Sequence, residues 1–156
     1  MDDALKIGQK APDFSLPRDG GGTVSLEGLK GKPAVLYFYP KDDTSGCTRQ
    51  AIAFSESLPH FEAAGAMILG ISKDSAASHD RFKAKHGLGL VLASDAASDT
   101  AERYGAWVEK SMYGRTYMGI DRSTFLIDGE GRVRRIWRKV KVPGHVAGVL
   151  EAVKKL

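Results

Sequence analysis

The chain has 156 residues, 42% of them apolar and 27% charged, the make-up of one soluble globular domain large enough to bury a proper core. No apolar run approaches the ~20 residues of a membrane helix, and the acidic start Met1-Asp2-Asp3-Ala4-Leu5-Lys6 has no apolar segment of the secretory kind, which points to a cytoplasmic protein. The formal net charge is +4, with 12 Lys/Arg against 6 Asp/Glu in residues 101–156.

In chain order, residues 10–31 read as a small β-unit. Phe14-Ser15-Leu16 and Thr23-Val24-Ser25-Leu26 flank Pro17-Arg18-Asp19-Gly20-Gly21-Gly22, a strong turn signal. Because these glycines sit in a hairpin turn, they do not form a nucleotide loop, which would follow a strand and open a helix. Val35-Leu36-Tyr37-Phe38-Tyr39 is β-branched and aromatic, the composition of a buried strand. Pro40 ends it, since proline has no N–H to give to a ladder. From Ser45 or Gly46 onward, Ala51, Ile52, Phe54, Leu58 and Phe61 recur at close to helical spacing. That helix is expected to reach His60 or beyond, with a kink at Pro59 and an end at Gly65.

Met67 to Ser72 is the next buried strand. Asp74 or Ser75 caps a helix running to about His86, where Gly87 stops it. Leu90 to Ala93 is a third strand, Thr100 to Tyr104 a short helix closed by Gly105, and Lys110 to Ile120 a poorly periodic loop or ribbon. Thr124 to Ile127 and Val133 to Val140 form two strands around the hairpin signal Asp128-Gly129-Glu130-Gly131. The basic excess falls here, on Arg132, Arg134, Arg135, Arg138, Lys139 and Lys141. Its interleaving with Val133, Ile136, Trp137, Val140 and Val142 describes a solvated strand face and not a nucleic-acid surface. Val146, Val149, Leu150 and Val153 give a final helix one apolar face. Early alternation of strands and helices implies parallel pairing, and the late hairpin an antiparallel edge. The expected fold is α/β, a single domain with a mixed sheet and helices on both faces.

Cys47 is the single cysteine. It sits in the first turn of a helix carried at the end of a strand. First-turn N–H groups have no intrahelical partner, and the helix dipole adds partial positive charge there. Such a setting, beside a cation, lowers a cysteine pKa from about 8.5 to roughly 3.5–7.5. Thr44 offers a hydroxyl at the same opening, although its residue type serves equally well as an N-cap. On position alone, a reactive thiol and a small buried hydrophobe are both open readings. His60, His79, His86 and His145 show no metal-ligand spacing and read as surface or helix-end residues, so no metal or other cofactor is expected. The absence of Cys-x-x-Cys disfavours thioredoxin-type disulfide exchange.

Pro40-x-x-x-Thr44-x-x-Cys47 resembles the active-site motif of the peroxiredoxins. The wider run Tyr37 to Asp42, with Gly46-Cys47-Thr48 behind it, is most similar to the bacterioferritin-comigratory-protein, or Q-type, class. A second matching block lies at Gly119-Ile120-Asp121-Arg122-Ser123-Thr124-Phe125-Leu126-Ile127-Asp128, and the resemblance extends from Lys10-Ala11-Pro12-Asp13-Phe14 to the last helix. It implies a thioredoxin-like fold and a thiol peroxidase acting on hydrogen peroxide and organic hydroperoxides. Cys47 would then be the nucleophile, with the N–H groups of Gly46 and Cys47 directed at a peroxide oxygen. Thr44 would orient the peroxide, Arg122 would hold it and favour the thiolate, and Pro40 would cover the sulfur.

The chain departs from that pattern in four places. Where the class carries a resolving cysteine, this sequence has Ile52 or, in the next helix, Lys83; Ser45 stands where proline is common, and Gln50 where glutamate is frequent. A sulfenic acid on Cys47 therefore has no intrachain partner, which implies a one-cysteine cycle completed by an external thiol such as thioredoxin, glutathione with glutaredoxin, or a small thiol. The expected assembly is a monomer or a weak homodimer. A peroxide sensor on the same fold and a non-catalytic binding module are the competing readings.

Overall fold

A computed structural model describes residues 5–156; Met1 to Ala4, most of the acidic start, lie outside the described residues. The hairpin of β1 (Ser15–Pro17) and β2 (Thr23–Ser25) leads into α1 (Leu26–Leu29), capped by the Ser25 hydroxyl on the Gly28 N–H. Then come β3 (Ala34–Phe38), α2 (Ser45–Ala63), β4 (Met67–Ser72), α3 (Ala76–His86), β5 (Val91–Ser94) and α4 (Thr100–Arg103). A hairpin of β6 (Trp107–Met112) and β7 (Arg115–Ile120) precedes β8 (Ser123–Ile127), β9 (Val133–Trp137) and α5 (His145–Lys154).

Five strands make the central sheet in the order β5-β4-β3-β8-β9. β3 pairs parallel with β4 and antiparallel with β8, which makes the sheet mixed. β3 sits at its centre and every one of its residues is buried, the reason its sequence is an unbroken apolar run and not an alternating one. Leu36 and Phe38 project into one core with Leu16, Leu29, Tyr104 and Phe125, beneath the β1–β2 hairpin, α1 and α4. Val35, Tyr37 and Tyr39 enter the other, with Phe54, Phe61, Phe82 and Val149 from the long helices. Tyr37 stacks on Phe54 at 4.6 Å and lies against Gly70, where an added Cβ would meet its ring at 2.8 Å. Only glycine allows that approach.

Two local expectations are met and two need correction. α2 runs beyond His60 to Ala63, passes through Pro59 in its last turns, and is closed by Gly65 at a left-handed φ of 80°. Of the loop or ribbon expected over Lys110 to Ile120, the structure has the ribbon, regular and antiparallel, with Trp107 opposite Ile120. The last strand stops at Trp137 and does not reach Val140, because Lys139 turns to a left-handed φ of 48°. The basic face is also only partly solvated. Arg138 donates to the carbonyl oxygens of Gly105 and Tyr104 and lies over the Phe125 ring. No helix among the described residues is long and apolar enough to cross a membrane.

Candidate active site

The end of β3 and the start of α2 are joined by residues 39–44. Asp43 adopts a left-handed φ of 59°, and Thr44 returns to extended backbone as the N-cap of α2. The first N–H of the helical ladder is that of Thr48, bonded to the Thr44 carbonyl at 2.8 Å. Those of Ser45, Gly46 and Cys47 precede it, so they point out of the helix end. The Thr44 hydroxyl does not cap the helix. It donates to the Lys41 carbonyl at 2.9 Å, which leaves its lone pairs open to a donor. Ser45 takes the first helical position, where proline fits because the N–H has no acceptor in the helix.

Cys47 is 2% exposed. One guanidinium nitrogen of Arg122 donates to its sulfur at 3.3 Å, and the other donates to Gln50 Oε1 at 2.6 Å. Arg122 leaves the end of β7 just before β8, whose pairing with β3 carries it across 75 residues of sequence to the sulfur. Gly46 makes room for it, since a Cβ there would lie 3.2 Å from Nη2 of Arg122. The structure thus brings Cys47, Gly46, Gln50 and Arg122 together. Thr44 stands at the same helix end, while Pro40 is exposed at the end of β3.

Of the histidines expected at the surface or at helix ends, His79 is neither, while His145 stands half-buried at a helix end. His79 is completely buried on α3: Nδ1 lies 2.7 Å from Asp42 Oδ2, and Nε2 lies 2.9 Å from the Ala93 carbonyl oxygen. Burial opposes its charge, yet the hydrogen bond and charge of Asp42 outweigh it and hold the imidazole pKa above its ordinary value. Burial likewise opposes ionisation of Asp42, but the His79 and Tyr39 hydrogen bonds hold its carboxyl below the usual range. His145 opens α5, 2.8 Å from the Thr124 hydroxyl and between the rings of Phe54 and Trp137. Burial, with a smaller push from Arg122, lowers its pKa to about 4, so it is neutral. The spacing of His79 to Phe82, i to i+3, is the signal that placed it on the buried face of α3.

Neither position of a family resolving cysteine is poised to meet the sulfur by other means. Ile52 packs beside the helix core, and Lys83 forms a 2.7 Å ion pair with Asp19 of the β1–β2 turn. Among the described residues, no group of three or more His, Cys, Asp or Glu side chains is arranged to hold a metal ion.

The model of the AhpC/TSA family matches residues 7–136. A putative peroxiredoxin Bcp of Coxiella burnetii is 50% identical over 94% of this chain and 97% of its own length. The peroxiredoxin Bcp of Bacillus subtilis is 50% identical over 97% of each. A solved structure of the bacterioferritin comigratory protein of Xanthomonas campestris, a protein with alkyl peroxide reduction activity, superposes with a TM-score of 0.89 at 44% identity, covering 99% of this chain and 98% of that one.

Proposed function

This chain belongs to the AhpC/TSA family, among its Bcp peroxiredoxins, and on that premise we propose how its residues divide the work of a thiol-dependent peroxidase with one cysteine. The observation that carries the reading is the Arg122 guanidinium donating to the Cys47 sulfur at the N-terminus of α2.

The Cys47 thiolate attacks one peroxide oxygen in line with the O–O bond. That bond breaks, the thiolate becomes a sulfenic acid, and the departing oxygen leaves as alcohol or water once protonated. Negative charge moves from sulfur onto the oxygens as the step proceeds. Fixed donors aimed at that charge lower the barrier without reorganising. The N–H groups of Gly46 and Cys47 and the fork of Arg122 fill this role, and the Arg122 fork also aligns the two oxygens. The Thr44 hydroxyl, its proton held by Lys41, accepts the peroxide O–H. Pro40 stands at the rim, where it shields the approach of water to the sulfur.

Reduction takes two external thiols. The first attacks the sulfenic sulfur, forming a mixed disulfide and water; the second displaces Cys47 as thiolate and leaves as the disulfide of the reductant. The peroxides reduced are hydrogen peroxide and small organic hydroperoxides, and the protein works as a monomer or weak homodimer in the cytoplasm. Loss of NADPH-coupled or thiol-coupled turnover in Cys47→Ser, with turnover retained in the wild type, tests this reading. Wild-type protein that consumes no peroxide with any thiol contradicts it.

A further inference from the structure

Asp42 lies two residues before Thr44 and five before Cys47, and its carboxylate is the best-bonded group near the site. Oδ1 accepts from the Tyr39 hydroxyl at 2.6 Å, and Oδ2 accepts from the Ser78 hydroxyl at 2.8 Å and faces His79 Nδ1 at 2.7 Å. Its own N–H donates to Asp74 Oδ2 at 2.8 Å, and Asp74 is fixed in turn by the Ser72 hydroxyl at 2.7 Å. His79 Nε2 faces a carbonyl oxygen that only accepts, so that nitrogen carries a proton. With three donors on it, the Asp42 carboxylate is ionised, and Nδ1 of His79 carries a proton too. The two residues form an ion pair sealed between the catalytic loop, α3 and the end of β5. Asp43 adds an outer contact to the same helix, with Lys85 at 2.6 Å and His86 Nε2 at 2.8 Å.

None of these groups touches the sulfur or a substrate oxygen. They determine where residues 42–44 stand, and hence where the Thr44 hydroxyl and the first N–H groups of α2 point. We infer that His79 is a positioning residue for peroxide reduction, acting through Asp42 to hold the Thr44 loop in the geometry that receives the peroxide. Asp42 lies within the run that marks the site, at a position to which the motif gives no chemical role, and His79 reaches it from a different helix. The inference rests on the peroxidase reading above.

The decisive comparison is between two reactions of the same thiol. Oxidation by hydrogen peroxide needs the loop to align the O–O bond, whereas alkylation by iodoacetamide needs only the thiolate. His79→Gln and Asp42→Asn are each expected to slow oxidation about tenfold, equivalent to about 1.4 kcal/mol of barrier, with alkylation changed by less than about twofold. Because the two residues act as one unit, the double variant is expected to be no slower than the slower single variant. Unchanged oxidation, a parallel fall in oxidation and alkylation, or multiplying effects would overturn the inference. If His79→Gln does not fold, Tyr39→Phe and Ser78→Ala each remove one donor from Asp42. They are expected to show a smaller selective loss, and equality with the wild type would overturn it. Wild-type protein inert to peroxide but readily alkylated would instead remove the peroxidase reading.

Discussion

Arg122 is held by Gln50 through a neutral acceptor, Oε1, at 2.6 Å. No carboxylate among the described residues pairs with this guanidinium. The sulfur of Cys47 is therefore the group that draws its charge. The arrangement carries a penalty, because the Gln50 amide nitrogen is buried without a partner, and an unmet buried donor costs about 1–3 kcal/mol.

Gln50→Glu reverses both terms. A carboxylate beside Arg122 competes for its charge and repels a thiolate. The variant is expected to oxidise roughly tenfold more slowly at pH 7, as read by stopped-flow mixing with hydrogen peroxide. Equal rates at pH 7 would show that the neutrality of Gln50 is immaterial.

Removing the guanidinium itself has a larger effect. Loss of one preorganised donor at a developing charge costs roughly 10²–10³ in rate, and Arg122→Met is expected to fall in that range. Arg122→Lys keeps the charge but not the fork, and it should recover only part of the loss. Full activity in the lysine variant would show that charge alone suffices.

Gly46→Ala tests the packing that admits Arg122. The new Cβ would lie 3.2 Å from Nη2, so the guanidinium has to move by a few tenths of an ångström. Alanine is otherwise favourable in a helix. The expected outcome is an unchanged or raised melting temperature together with oxidation slowed about threefold to tenfold, a loss that geometry and not stability explains.

Buried His79 and half-buried His145 give stability an opposite dependence on pH in separate windows. The folded pKa of His145 is lowered to about 4, so its contribution is present above its unfolded value of about 6.5 and is lost as pH falls toward 4. His79 has a raised folded pKa; its contribution is full below about 6.5 and declines as pH rises through the folded value. The Asp42 contribution, from a lowered pKa, disappears only below about pH 4. Melting temperatures between pH 4 and 6.5 should fall less steeply in His145→Gln than in the wild type. Identical slopes would show that His145 is not neutral in the fold.

Much of this was legible in the chain. The run Val35 to Tyr39 is apolar at every position because both faces of β3 are covered, and Pro40 and the helical spacing after Cys47 fix where strand gives way to helix. Arg122 was legible only through resemblance, since nothing local in Asp121-Arg122-Ser123 says that β8 returns beside β3. His79 was missed for a related reason. A single histidine on a polar helix reads as solvated until its i+3 partner Phe82 shows that this face is buried, and its partner Asp42 lies 37 residues away. Arg138-Lys139-Val140 continues the mixture of basic and apolar residues, so only the backbone turn at Lys139 reveals that the strand stops at Trp137. Long-range pairing and backbone reversals of this kind leave no local pattern.

The most direct measurement is the intact mass of reduced protein after one equivalent of hydrogen peroxide, with peroxide consumption followed before and after a thiol is added. The expected result is a gain of one oxygen on Cys47, stoichiometric loss of peroxide, and catalytic loss once thiol is present. An unmodified Cys47, or peroxide consumption that persists in Cys47→Ser, would contradict the account.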